Sequence, residues 1–441
     1  MLQLTEKTLE SLFEANKSLC EVFLTPGKDL SQTMETIMNA QEIQKLYDSM
    51  EHRLEKVETK FHRYLLPMID WRDDLICIKG ARGTGKTTLL LQRYLEEFKR
   101  KGSQDALYVS ADDLWFSTHT LKDVADYLHT HGIGHLFIDE IHHAEEWQKN
   151  IKNISDEYAD LHVVYSGSSL LKLERAKADL SRRQAVYELK GLSFREYLKF
   201  EGVLDVPSVT LDDILVRHRE LALDITSRIK ILPHFSRYLK TGFYPFYKKV
   251  FGQYEQRLLA IVNQVLESDY PAVEEVTPAT VRKIKKMLMI LAASCPQLPQ
   301  MNRLYAELET NRVCGLNMLN VLERAGLLQL LSSEKASLKN LSRPDKIYPD
   351  NPNMMYALTG TVNMGTLREC FFLNQLRSAG HNVNYPPQGD FLVNDQYLFE
   401  VGGEGKGFDQ IKDIAKSYVV NDDAEIGFGN KIPLWLFGFM Y

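Results

Sequence analysis

Nine residues limit what this chain can fold into. Gly80-Ala81-Arg82-Gly83-Thr84-Gly85-Lys86-Thr87-Thr88 satisfies the pattern G-x-x-x-x-G-K-[ST] at every defined position, the signature of a loop that wraps phosphates. The apolar run 75–78 before it reads as a buried strand, and residues 88–95 after it read as a helix. Strand, glycine loop and helix in that order aim successive backbone N–H groups and a helix N-terminus at one point, which suits a highly charged anion. Residues 80–88 are therefore the expected triphosphate-binding segment. The Lys86 ammonium would meet the β- and γ-phosphates, and the Thr87 hydroxyl is placed to ligate Mg2+.

Residues 135–140 supply the expected second half of such a site, an apolar run closed by two acids. Asp139 is expected to hold the Mg2+ shell and Glu140 to polarise an attacking water, which favours hydrolysis over phosphorylation of a small substrate. A further strand, 161–165, ends in Ser166-Gly167-Ser168-Ser169. Ser166 first, and Ser168 second, could reach the γ-phosphate or the lytic water; the other reading is a cap on a helix from about Leu170. Arg182 and Arg183 offer paired guanidinium groups, either to a γ-phosphate, usually a neighbouring subunit's in a homo-oligomer, or to surface acids. Asp112 and Asp113, after the strand 106–110, face a similar choice between ligand crevice and cap. His142 and His143 have no third metal ligand in sight and are expected at a helix start or in sheet packing.

The chain has 441 residues, 44% hydrophobic and 25% charged, enough for about three cores rather than one. Its longest central apolar run, 287–295, is too short to span a bilayer, and no charged-apolar-small leader opens the sequence, so a soluble cytoplasmic protein without a membrane partner is expected. Five scattered cysteines form no C-x-x-C pair, which argues against structural zinc and disulfides. The net charge of −6 divides unevenly: −7 over residues 1–280, +6 over 281–343 and −5 over 344–441. Only the middle segment has the charge to attract a nucleic-acid backbone. Leu46, Met50, Leu54, Val57, Phe61 and Leu65 recur at three- and four-residue intervals, predicting one long leader helix ended by Pro67.

The phosphate loop, Phe137-Ile138-Asp139-Glu140-Ile141-His142, Ser166-Gly167-Ser168-Ser169, Leu180-Ser181-Arg182-Arg183 and Leu192-Ser193-Phe194-Arg195-Glu196-Tyr197 together resemble the prokaryotic AAA+-type ATPases of the family often labelled AAA-14. The resemblance covers nearly the whole chain, and its serine and arginine motifs are narrower than its phosphate loop. It implies ATP as ligand at residues 80–88, Mg2+ and water handling by Asp139 and Glu140, sensing near Ser166, and an arginine-finger role for Arg182 or Arg183. Gly242-Phe243-Tyr244-Pro245 resembles the Gly-x-x-Pro turn of that family's helical lid, with Arg237 as the candidate sensor arginine.

Residues 301–308, a turn, then 313–324 resemble a winged-helix module. A DNA-reading version would expose Arg312, Asn317 and Asn320, with Arg282, Lys283, Lys285 and Lys286 on phosphates. The end of the chain resembles restriction-type nucleases, with Asp390 and Glu400 as metal ligands and Glu369 on a nearby helix. Their lysine belongs two residues after Glu400, where this chain has Gly402, leaving Lys406 or Lys412 as substitutes and a degenerate domain as the expectation.

The expected architecture is α/β, a P-loop NTPase (AAA+-like) parallel sheet with further modules. The divisions are a helical leader (1–67), the ATPase core (68–204), a helical lid (205–280), a winged-helix-like module (281–343) and a nuclease-like α/β domain (344–441). Three uses for ATP and its product ADP stay open: a switch coupled to DNA through 281–343, an ATP-gated metal-dependent nuclease, and a protein-binding signalling scaffold.

Overall fold

A computed structural model describes residues 30–167, 180, 182–250, 252–271, 276–298, 300–333, 343–403, 405, 407, 411–412 and 414–441, with backbone alone for 30–40. The first helix, α1 (Leu30–Leu54), buries Ile43, Leu46, Met50 and Leu54 in the core of the following sheet. It stops well short of Pro67, so the expected leader helix is too long. The stripe residues Val57, Phe61 and Leu65 lie in an irregular strap. Gln92 explains the break, because its side-chain amide donates to the carbonyls of Glu58 (2.7 Å) and Phe61 (2.8 Å), which a continuing helix would have used internally.

The sheet holds β1 (Leu75–Lys79), β2 (Leu107–Ser110), β3 (His135–Asp139), β4 (His162–Gly167) and β5 (Ala185–Glu188), all parallel, in the order β2-β3-β4-β1-β5. Helices α2 (Lys86–Glu97), α3 (Leu121–Thr130) and α4 (Trp147–Glu157) follow β1, β2 and β3 respectively. Near-continuous apolar runs such as Leu75-Ile76-Cys77-Ile78, 0–3% exposed, suit strands covered on both faces. Because the chain leaves β1 for β2 on the far edge and returns through β3 and β4, β1 sits where the strand order reverses, the place where open α/β sheets form a ligand crevice. The α/β expectation with a parallel P-loop-type sheet therefore holds, and the element bounds fall within a residue or two of those read from the sequence.

Three helices come next: α5 (Phe194–Phe200), α6 (Leu211–Arg228) and α7 (Ile231–Thr241). Then α8 (Tyr254–Gln264) runs into a π-helical turn at Val265–Asp269, and α9 (Pro278–Ser294), α10 (Met301–Glu307) and α11 (Arg312–Arg324) lead to an antiparallel pair, β6 (Leu328–Leu331) with β7 (Lys346–Pro349). After α12 (Pro352–Thr359) and α13 (Met364–Ser378) a second sheet is built from β8 (Val383–Asn384), β9 (Phe391–Val393), β10 (Tyr397–Gly402), β11 (Ser417–Asn421) and β12 (Lys431–Pro433), in the order β12-β11-β10-β9-β8. Asn394 and Asp395, both at positive φ, close the β9–β10 hairpin with left-handed backbone.

Three large apolar clusters organise these elements. The first spans residues 43–189, the third residues 262–358, and the second joins α5, α6 and α7 to α13 and the terminal sheet. In that second core the Phe235 and Phe371 rings lie 4.9 Å apart and those of Phe194 and Phe439 5.8 Å apart. Each such ring, fully buried, contributes about 1.5–3 kcal/mol. The helices after the first sheet are thus anchored on the last one. Among the described residues no helix is long and apolar enough to cross a membrane.

Candidate nucleotide site

The loop after β1 has the backbone that glycine permits. Gly83 and Gly85 have φ of +87° and +99°, values that strain any residue with a Cβ. At Gly80 a Cβ would stand 2.4 Å from the Leu189 carbonyl oxygen, so the chain leaving β5 leaves no room for a side chain. Lys86, the first residue of α2, is buried and donates to the carbonyls of Gly80 (3.0 Å) and Ala81 (3.1 Å). Burial lowers its pKa to about 8, against the opposing pull of Glu140 and Asp139. The Thr84 hydroxyl returns to Ala81 O at 2.9 Å and tightens the loop. Thr87 and Thr88 both line the cleft beside it.

Asp139 closes β3 and is 1% exposed. Both of its oxygens are occupied: the Ser166 hydroxyl from β4 donates to Oδ1, and the Tyr108 hydroxyl from β2 donates to Oδ2 at 3.0 Å. The carboxylate is thereby fixed by its two flanking strands, and burial together with its charge drives the Tyr108 pKa well up. Glu140 follows in left-handed backbone, φ 49° and ψ 41°, the kind of strain that gathers at functional positions. Its Oε2 stands 3.9 Å from Arg82 Nη2, and the same nitrogen is 4.0 Å from buried Asp269 at the end of the π-helical turn.

The loop and Glu140 face a cleft of about 430 Å³, while Asp139 and Ser166 lie buried behind it and do not line it. Gly83, Gly85, Lys86, Thr87 and Glu140 line it with polar groups. Val57 and Phe61 of the strap, Phe200 of α5, and Pro245 and Phe246 after α7 form apolar walls, with Arg53, Lys56 and Lys249 among the lining cations. Pro245 belongs to the turn expected of the lid, and Phe246 crowds Gly83 so closely that a Cβ there would lie 2.8 Å from its ring. Arg237 is exposed on α7 and does not line the cleft, so the sensor-arginine reading finds no support.

Three residues of the site are not marked by the sequence, Arg63 first among them. Arg63, 4% exposed, grips Glu196 of α5 with Nε (3.1 Å) and Nη2 (3.0 Å), donates to Lys190 O and Gly191 O, and sends Nη1 to the Thr84 carbonyl of the phosphate loop. Its partners lie far away in sequence, and nothing in local spacing marks it. Tyr108 and Asp269 are unmarked for the same reason.

Arg182 and Arg183 do not line the cleft; both are exposed, and Arg183 pairs with Asp156 of α4 at 2.9 Å. Ser168 and Lys406 lie outside the described residues. Asp113 is a cap, accepting from Trp115 N at 3.0 Å, while Asp112 stands 3.8 Å from Arg53. His142 is buried and His143 exposed.

In the terminal sheet, Glu400 is fully buried on β10, and Asp390 accepts from Val401 N at 3.0 Å. Lys412 is exposed, and an ammonium beside Asp390 comes from Lys346 of β7, 3.0 Å from Asp390 and 3.2 Å from Glu369. Burial opposes its charge, but the two carboxylates outweigh that and raise its pKa. In the basic segment, Arg282, Arg312 and Asn317 are exposed. Lys283 is held by Glu309 O (2.7 Å), Lys286 by Glu307 (3.0 Å) and Lys285 by Glu267, so three of the four cations of α9 are already engaged within the chain.

Residues 72–198 match the family model described as an AAA domain. That stretch carries the phosphate loop, the parallel sheet and the acids at the end of β3, and it is similar there to AAA-type P-loop domains. Two uncharacterized proteins of Methanocaldococcus jannaschii are similar over most of their length: MJ1637 at 27% identity, covering 78% of this chain and 78% of its own, and MJ1544 at 24%, covering 76% and 73%. Among solved structures, the Walker-type ATPase PABY2304 of Pyrococcus abyssi is 13% identical with a TM-score of 0.40, over 65% of this chain and 91% of that one. AMPPCP-bound DnaA from Aquifex aeolicus is 14% identical with a TM-score of 0.25, over 59% and 84%.

Proposed function

We propose that the chain binds ATP with Mg2+ at the cleft beside residues 80–88 and hydrolyses it, and that turnover switches the arrangement of the modules around the cleft. The observation that carries this is the convergence of Lys86, Asp139, Glu140 and Ser166 at the carboxyl ends of three adjacent strands. Bound Mg2+ would supply charge neutralisation at the phosphates. Thr87 and Asp139 are hard oxygen donors that fit that ion.

Backbone N–H groups of residues 80–88 receive the phosphates, and Lys86 exchanges its carbonyl partners for phosphate oxygens. Glu140 takes the proton of the attacking water, and Ser166, through Asp139, registers what occupies the site. Arg82 and Thr84 shape the loop around the triphosphate. Arg182, exposed at the surface, is the finger offered to a second copy in a homo-oligomer, with Arg183 as its neighbour. The test is Glu140→Gln beside Lys86→Ala. The first should retain ATP with turnover lost, the second should lose both, and unchanged turnover in either overturns the reading.

A second reading rests on Lys346. Its contact with Asp390 and Glu369 restores an ammonium to the acidic group of the terminal sheet, in keeping with a metal-dependent nuclease whose metal ligands would be Asp390 and Glu400. DNA incubated with Mn2+ and ATP should then be cut by the natural chain and not by Asp390→Ala/Glu400→Ala. Equal products from both remove the idea. The helices α9–α11 followed by β6 and β7 keep the element order of a winged helix, and DNA contact through 281–343 would show as binding that weakens steeply with salt.

A further inference from the structure

The sequence around His142 and His143 offers no third ligand; the fold supplies one in Glu140. The three side chains lie on one tight turn. Glu140 caps the 3-10 segment Ile141–His143, and a backbone bond from His143 N to Glu140 O at 3.0 Å closes it. Glu140 Oε2 stands 3.4 Å from His142 Nε2, and one donor atom from each of the three residues falls within 4.8 Å of the others. The two imidazole rings are 4.4 Å apart and tilted by 36°.

From these distances we infer that Glu140, His142 and His143 form a site for a borderline transition-metal ion, Zn2+ in the first instance, distinct from the Mg2+ position at Thr87 and Asp139. Zinc takes imidazole nitrogen and carboxylate oxygen at about 2.0–2.2 Å, tetrahedrally, so two of its ligands sit roughly 3.4 Å apart. The Glu140–His142 separation already has that value. His143 is the exposed member, and rotation of its side chain would bring the third donor to the metal, within the ordinary freedom of a surface rotamer. Two nitrogens and one oxygen suit zinc, cobalt or nickel far better than magnesium, which demands hard oxygen ligands in octahedral order. The cleft side of Glu140 leaves the fourth position to water.

The electrostatic surroundings allow this occupancy. Arg82 pairs with Glu140 and also lies 4.0 Å from a second carboxylate, Asp269, which it keeps when Glu140 turns to the metal. Zinc and the attacking water thus compete for a single carboxylate. Occupancy withdraws Glu140 from proton transfer, which makes the metal an inhibitor of turnover. That consequence rests on the role proposed for Glu140; the binding site does not.

The test is equilibrium binding of Zn2+ to the full chain without nucleotide, by competition with a chromophoric chelator, with Co2+ absorption reporting tetrahedral geometry. His143→Ala changes an exposed side chain, and His142→Gln keeps most of the volume of a buried one. One ion per chain is expected, with affinity falling roughly tenfold or more in each variant, as for losses of metal-site groups elsewhere. No binding, or binding indifferent to both substitutions, overturns the site. In a parallel assay each protein's turnover is taken relative to its own zinc-free rate. Zinc should slow the natural chain and spare His143→Ala. Binding that depends on the histidines while turnover ignores zinc would uphold the site and count against Glu140 as the group that activates water.

Discussion

Replacing Arg63 by methionine should disturb both the stability of the chain and its grip on ATP. The guanidinium makes two bonds to Glu196, one each to Lys190 O and Gly191 O, and one to the Thr84 carbonyl. Both ionic partners are almost wholly buried, at 4% and 1% exposure, so the substitution leaves a carboxylate stranded in an apolar place with little beyond Tyr64 N (2.7 Å) and its own helix start to receive it. Breaking one side of such a pair costs about 3–5 kcal/mol. The double variant Arg63→Met/Glu196→Met removes the stranded charge and should recover a large part of that loss, since an apolar pair of similar volume often replaces a buried ion pair at little net cost. Urea unfolding of the four corners of the cycle measures the coupling, and ATP titration reads the second effect. Release of the Thr84 carbonyl loosens the loop, and affinity should fall in both Arg63 variants, including the one whose stability recovers. A single variant within about 1 kcal/mol of the natural chain, or a double variant that merely sums the singles, refutes the reasoning.

Three other outcomes are expected. The pKa of Lys86 is lowered on folding from 10.5 to about 8, so the folded chain binds fewer protons than the unfolded one between those values; stability is gained across that window and lost as pH falls through 8. Lys86→Met should therefore be the more stable protein without nucleotide at pH 7, by up to about 3 kcal/mol, with an advantage that shrinks towards pH 10; a difference constant with pH contradicts this. Tyr108→Phe should lose about 1–2 kcal/mol of stability and raise the Mg2+ concentration needed for half-maximal turnover, because one oxygen of Asp139 is released; an unchanged Mg2+ profile counts against the fixed carboxylate. Gly83→Ala, which meets both a positive φ and the Phe246 ring, should weaken ATP binding, and Phe246→Ala in the same chain should restore part of it by removing the clash.

What could be read from the sequence was what local order determines. Residues 75–97 declare strand, loop and helix through a buried run, glycines and the residues that follow, and the acids of 139–140 stand at the end of an apolar strand whose length alone identifies it. Ser166 could be found in the same way, at the tip of β4. The strap could not. Its apolar spacing fits a helix, and the helix stops because Gln92, on another element, captures two of its carbonyls. Lys346 was invisible for a related reason, since strand alternation from Glu400 points to position 402, whereas the ammonium arrives from β7 across the sheet boundary. Arg63 and Glu196 are separated by 133 residues, and no periodicity links them. The histidines were set aside for want of a ligand that was their own near neighbour, hidden because the left-handed turn at Glu140 is what folds its carboxylate back towards them.

Helix α7 has a consequence for how the parts move. Near its start, Phe235 is wedged among the aromatic rings under the terminal sheet, and just past its end Phe246 overhangs the phosphate loop. Eleven residues of helix make a rod of about 16 Å, too short and too well seated to bend. Under the switch proposed above, a ligand that lifts Phe246 would push on that rod at one end, and the last sheet of the chain, packed at the other, would feel it like the pan of a balance.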